Sequence, residues 1–261
     1  MRYFWFLVVA ALAACTENLQ VNGPDCSQPD VGNGVDILGV RLGMDNATAI
    51  RILRCAGYAV EVKAGPIMDG NPANNVDYGV IAERDGDRLA VRFGGLSGSE
   101  KVVGMLRIIG PSKEGSELSV DEVRQSIFAK YGPLFEYKSL PDPSKGYFAP
   151  YSRGEYYRLS GDNQEIPVES EVSTCKSGVN FLNIESFIVG GANFRCGEFV
   201  FIQISPSNRN RALSDMLLVE VTNGVVEEPL RQERIRLIAS NRARNLAREA
   251  SDAKSRGTPD L

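Results

Sequence analysis

Residues 36–63 read DILGVRLGMDNATAIRILRCAGYAVEVK, and their pattern sets the architecture of the whole chain. Val35 to Leu42 alternates and carries Val and Ile, which predicts a strand. Asp45 stands where a helix needs an acceptor for its first free N–H groups. A helix is therefore predicted over Asn46 to Ala56, with Ala47, Ile50 and Leu53 on one face. Gly57 ends it, because glycine enters left-handed backbone without a Cβ penalty. Tyr58 to Lys63 is a second predicted strand.

The same order recurs downstream. Ser119 with Glu122 forms a capping box ahead of Val120, Val123, Ile127 and Phe128, and Gly132-Pro133 stops that helix. Gly57-Tyr-Ala-Val-Glu-Val-Lys63 and Gly132-Pro-Leu-Phe-Glu-Tyr-Lys138 share a glycine at one end and Glu-x-Lys at the other. Two similar strand–helix–strand units fit this, as do two ordinary helix stops that look alike by coincidence. Between them, Gly65 to Asp77 is loop, and Tyr78 to Arg84 pairs with Arg88 to Phe93 through an Asp85-Gly86 turn. A strand follows over Lys101 to Ile109.

Beyond a linker at Pro141 to Gly146, strands are predicted over Glu155 to Leu159, Val179 to Ile188, Glu198 to Ile204 and Ser214 to Thr222. One long helix is predicted from Glu227 to Ala253. In it Leu230, Leu237, Ile238 and Leu246 are spaced for one face. The fold class is α+β: two strand–helix–strand units with antiparallel sheet, then C-terminal strands and a long C-terminal helix. The divisions fall at 1–14, 15–34, 35–140, 147–254 and 255–261.

Composition narrows the function classes. The chain has 261 residues, 43% hydrophobic and 24% charged, as a folded domain of one or two cores has. A formal charge of −4 supplies no field for a phosphate backbone, so nucleic acid is not an expected partner. With no His, the commonest metal ligand and every Ser-His or Cys-His pair are excluded.

Residues 1–15 speak to compartment. Met1-Arg2-Tyr3 is a short positive start, Phe4 to Ala14 has no charge, and Leu12-Ala13-Ala14-Cys15 follows. The apolar run is shorter than the ~20 residues that span a bilayer and matches an export signal. Leu12 to Cys15 resembles the lipobox of bacterial lipoproteins. That family is cut before the Cys, which is then acylated, so the resemblance implies a signal peptide over 1–14 and a lipid on Cys15. The alternatives are ordinary secretion, because Ala11-Leu12-Ala13 also meets a small-x-small cleavage rule, and an uncleaved anchor. In the lipoprotein family an Asp after the Cys retains the protein in the inner membrane, so with Thr16 there the resemblance implies the outer membrane, facing the periplasm. Thr16 to Asn33 reads as a flexible leash.

Removing Cys15 leaves Cys26, Cys55, Cys175 and Cys196, an even number that allows three pairings. The expected one joins neighbours in sequence, Cys26 with Cys55 and Cys175 with Cys196. A four-Cys zinc site lacks any C-x-x-C pair, so no metal is assigned, and free buried thiols are the plain alternative to the bridges. No cofactor is expected beyond the covalent lipid.

The strand–helix–Gly–strand segment Asp36 to Lys63, with Val102 to Lys138, resembles the building block of SmpA/OmlA-type envelope lipoproteins. It also resembles the tandem-repeat domains related to β-lactamase-inhibitor protein. The resemblance implies helices on one face of an antiparallel sheet and a role in protein–protein contact. Tyr147, Phe148, Tyr151, Tyr156 and Tyr157, with Arg153 and Arg158 between them, form a candidate binding surface built from aromatic rings and guanidinium groups. Ordinary strand packing is the competing reading. The C-terminal helix carries Arg231, Arg234, Arg236, Arg242, Arg244 and Arg248, and reads as a solvated, ion-paired helix rather than a lipid-binding one.

Ser173-Thr-Cys-Lys176 and Ser251-Asp-Ala-Lys254 match a Ser-x-x-Lys pattern at the rate chance gives, so no catalytic residue is assigned. The expectation is a lipid-anchored envelope module that binds or scaffolds another envelope protein. The alternatives are an inhibitor or immunity-type protein, and a cell-wall hydrolase using two carboxylates.

Overall fold

The computed structural model describes residues 26, 35–66, 75–110, 117–132, 134–137, 154–160, 175, 184–189, 196–207, 209–210 and 212–255. For 66, 135–137, 154–160 and 255 it describes backbone alone. In chain order the elements are β1 (Asp36–Ile37), β2 (Val40–Arg41), α1 (Asn46–Cys55), β3 (Ala59–Pro66), β4 (Asn75–Arg84), β5 (Asp87–Gly94) and β6 (Lys101–Ile109). They continue with β7 (Leu118–Ser119), α2 (Val120–Tyr131), β8 (Phe135–Tyr137), β9 (Gly154–Ser160), α3 (Glu185–Val189), β10 (Glu198–Pro206), β11 (Leu213–Asn223) and α4 (Gly224–Ser255).

Local chemistry explains both helix starts. The Asp45 carboxylate accepts from the Thr48 N–H at 2.8 Å, and the Ser119 hydroxyl accepts from the Glu122 N–H at 3.4 Å. Asp85 and Gly86 both adopt positive φ, 44° and 80°, as the tight turn between β4 and β5 requires.

Eight strands run in the order β3-β4-β5-β6-β11-β10-β9-β8, every neighbouring pair antiparallel, and β7 adds to β11. Each of α1 and α2 is thus followed by a four-stranded meander, and the last strand of each meets at a central β6–β11 seam. The repeat extends to the helix caps. Asp45 bridges to Lys101 at the start of β6, and Ser119 pairs with Leu213 at the start of β11.

The boundaries expected at 140 and 147 do not divide the molecule. The second meander takes β8 from one side of them and β9 to β11 from the other, and β11 pairs with β6 of the first. Pairing along the sheet overrides the composition break in the chain. The meanders differ most in one connection: two turn residues join β4 to β5, whereas 161–197 join β9 to β10.

The sheet buries both faces. On one, Ala49 and Leu53 of α1 and Val123 and Ile127 of α2 pack on Val80, Leu89, Val91, Met105, Ile202, Leu217 and Val219. On the other, Phe187 and Ile188 of α3 and the Cys175–Cys196 disulfide pack on Ile81, Ala90, Leu106, Phe199 and Phe201. The excursion from the second meander therefore covers strands of the first. The remaining disulfide joins Cys26 to Cys55 at the end of α1, so both expected pairings are present.

Three local expectations change. Val35 to Leu42 is a miniature hairpin rather than one strand, because Leu38 and Gly39 take positive φ and the Gly39 N–H donates to the Asp36 carboxylate at 2.8 Å. Within the strand expected over Val179 to Ile188, the described residues turn into helix. Ile184, Phe187 and Ile188 are all buried, which needs helical spacing rather than alternation. In α4, Leu230 approaches Gly94 of β5, but Leu246 lies on the opposite side of the helix and is 57% exposed. Residues 242–254 of α4 are all exposed. Among the described residues, no helix is long and apolar enough to cross a membrane.

Candidate functional site

Three polar side chains meet in the core beneath α1 and α2. Asp87 begins β5, Arg107 lies near the end of β6, and Tyr58 follows the glycine that stops α1. Arg107 donates from Nε at 3.0 Å and from Nη2 at 2.6 Å to the two oxygens of Asp87. The Tyr58 hydroxyl donates to the same carboxylate. Tyr58 and Asp87 are buried, and the Arg107 side chain is 21% exposed. Burial works against the Arg107 charge, yet the bonds to Asp87 outweigh it and hold Arg107 above its usual range. Burial, then donation to Asp87, pushes Tyr58 up from the ordinary phenol value.

The repeat supplies its own comparison for this triad. The shift that carries Lys101 onto Leu213 carries Met105 onto Leu217 and Ile109 onto Val221, all core residues or packed on the core. It also carries Arg107 onto Val219, the residue directly across the seam. Asp87 is in register with Ile109, and its counterpart in register with Val221 is Val200. In sequence Gly57-Tyr58 aligns with Gly132-Pro133. The first unit thus holds Tyr, Asp and Arg where the second has Pro, Val and Val. A buried ion pair is seldom needed for stability, and the second unit has apolar residues at the matching positions.

Arg107 also borders a groove of about 300 Å³ between α2 and the seam. Its floor is Arg107, Ile109, Leu217 and Val219. Its wall is Val123, Ser126, Ile127, Lys130 and Tyr131 of α2, and Leu118 and Glu122 stand at the rim. Leu118 is 45% exposed and Glu122, Ser126 and Lys130 are exposed, so the mouth reaches solvent. At one end Lys130 pairs with Asp36 at 3.1 Å, and the Tyr131 hydroxyl donates to the Asp36 carbonyl at 3.3 Å. Burial, then the nearby Asp36 charge, pushes Tyr131 up to about 12, so its hydroxyl stays protonated at neutral pH.

The opposite face holds a second buried ion pair. Arg92 donates to Glu227 of α4 at 2.7 Å and to the Phe187 carbonyl of α3 at 3.0 Å, with its guanidinium 4.7 Å from the Phe187 ring centre. It lies across Gly104, where an added Cβ would come within 3.1 Å of both Arg92 and Phe187. Arg234 further anchors α4 through the Gly95 carbonyl and the Tyr78 ring, so it is not one of the solvated helix's free charges. Burial lowers its pKa. Arg231 does pair along the helix as expected, donating to Glu228 at 2.8 and 2.9 Å.

Cys15, Tyr147, Tyr151 and Arg153 lie outside the described residues, as do the leader 1–14, the linker 141–146 and the tail 256–261. Of the tether 15–34, Cys26 alone is described. Tyr156 and Arg158 sit on β9, in register with Ile202 and Val200 of β10. Cys26, Cys55, Cys175 and Cys196 are the four disulfide partners. The sequence reading missed the triad and the groove. Their signal is a charge inside an alternating apolar pattern: Val103, Met105, Arg107 and Ile109 on β6, and Asp87, Leu89, Val91 and Phe93 on β5. Among the described residues no group of His, Cys, Asp or Glu is placed to hold a metal.

No family model, no curated protein and no solved structure matches the chain.

Proposed function

We propose that this chain is a lipid-anchored protein of the bacterial envelope, attached through Cys15, whose body binds or scaffolds another envelope protein without catalysing a reaction. The observation that carries the reading is the pairing of all four cysteines beyond Cys15 into two disulfides. Such bonds persist in oxidising compartments outside the cytosol, where a leader like residues 1–14 would deliver the chain. The groove adds a shaped, half-apolar surface of the kind that receives a ligand or partner side chain. Among the described residues its border carries one carboxylate, Glu122, where the sugar-hydrolase alternative needs two.

Tethering gives the mechanism. The Cys26–Cys55 disulfide fixes the chain eleven positions after Cys15, so the anchor-to-body span is at most roughly 40 Å at full extension. Confinement to that layer raises the effective concentration of a weak interface without high expression. The test is Cys15→Ser expressed in bacteria. Release from the membrane fraction and loss of acyl labelling are expected, and unchanged membrane fractionation would contradict the anchor. Crosslinking in intact cells should capture an envelope protein with the wild type.

A further inference from the structure

We propose that the groove between α2 and the β6–β11 seam is a binding site for a small aliphatic carboxylate, its head on Arg107 and its stem on Ile109, Leu217 and Val219. The inference goes beyond the envelope reading and does not depend on the anchor.

Three observations converge on it. The first is the placement of Arg107: it stands in a floor that is otherwise apolar, and its repeat counterpart is Val219. Folding this sheet does not call for a cation there, so the charge has another use. Second, the guanidinium is held ready. Asp87 fixes its orientation by a two-point bond and Tyr58 braces Asp87 from behind, neither of them bordering the groove. A guanidinium has five N–H donors in a planar fork, more than one carboxylate that already serves Tyr58 can accept.

Third, charge and size select the ligand. Among the described lining residues Arg107 is the cation of the floor, Lys130 at the mouth is paired with Asp36, and Glu122 is exposed at the rim, so the floor favours an anion. Asp87 already neutralises part of the Arg107 charge, which suits a monoanion better than a phosphate dianion. The floor beside Arg107 offers aliphatic contact alone, and about 300 Å³ is at the small end for ligand pockets. A carboxylate on a short saturated stem meets all of these.

The experiment is calorimetric titration of octanoate into the full chain held in lipid nanodiscs, with empty discs as the blank. Should the chain prove soluble, it is titrated without discs, so failure of the anchor leaves this test intact. Saturable binding is expected for octanoate, at least tenfold weaker for octanol and for octylamine. Arg107→Lys, which keeps the charge but loses the fork, should weaken octanoate at least tenfold. Ser126→Trp fills the groove from an exposed position on α2, so it should abolish binding while leaving the unfolding transition in place; it decides the matter if Arg107→Lys does not fold. Octanol binding as tightly as octanoate, no saturable heat, or undiminished binding by Ser126→Trp would each overturn the site.

Discussion

Arg107 and Val219 face each other across the central seam, and each is the other's counterpart in the repeat. The approximate two-fold relating the units therefore passes between an arginine and a valine. The buried Tyr58–Asp87–Arg107 cluster stands on the arginine side of that asymmetry.

Removing one partner of the buried pair leaves the other uncompensated. Asp87→Val should cost about 3 kcal/mol, at the low end for buried pairs because Arg107 keeps some solvent contact. In a Tyr58→Phe background, so that no buried hydroxyl is left without its Asp87 acceptor, the double variant Asp87→Val with Arg107→Val copies Val200 and Val219 and should return to within about 1 kcal/mol of its parent. Urea unfolding of the four proteins measures this. If the double variant loses the sum of the two single costs, the second unit is no guide to the first.

Gly104→Ala tests the other face. Its methyl would press on Arg92 Nη2 and Phe187 Cζ, both held by further contacts, so about 1–3 kcal/mol should be lost. Hydrogen exchange should rise first in α3 and the opening turns of α4, which Arg92 joins. Protection unchanged in both elements would mean that Arg92 does not tie them to the sheet.

Alkaline pH should act through Tyr131. Its folded pKa of about 12 exceeds the ordinary value of 10, so the folded state holds the proton more tightly. The associated stability is fully present below pH 10 and is lost as pH rises from 10 towards 12, by up to about 2–3 kcal/mol. Tyr131→Phe should flatten the Tyr131 share of that fall in an unfolding-versus-pH series. An equally steep alkaline loss in the variant would place its cause elsewhere.

Much of this was legible in the sequence, and what was not has physical reasons. Asp45, Ser119 and Gly57 announce helix boundaries through local capping chemistry, and the two glycine-to-Lys segments do mark a repeat. The β6–β11 pairing is invisible locally, because strands over a hundred residues apart meet through shared burial alone. The sequence of α3 fits a strand equally well, since apolar residues in a short run suit either period. The triad escaped because Arg107 and Asp87 are each unremarkable in their own strands, and their proximity is a property of register.

The disulfides should matter unequally in kind but similarly in size. Breaking either should cost about 3–4 kcal/mol by the chain-entropy estimate for loops of 29 and 21 residues. Cys175→Ala with Cys196→Ala should loosen α3 from the sheet beyond that global loss, whereas Cys26→Ala with Cys55→Ala should lower exchange protection by the global amount alone. Thermal unfolding with hydrogen exchange distinguishes them. Equal loosening of α3 in both pairs would show that the bridges act only through global stability.

The most direct measurement is the intact mass of the mature protein taken from bacterial membranes, with sequencing of its N-terminal peptide. A chain beginning at Cys15 and heavier than residues 15–261 by its acyl groups is the expected result. A chain that still begins at Met1 and is recovered without lipid would contradict the envelope anchor.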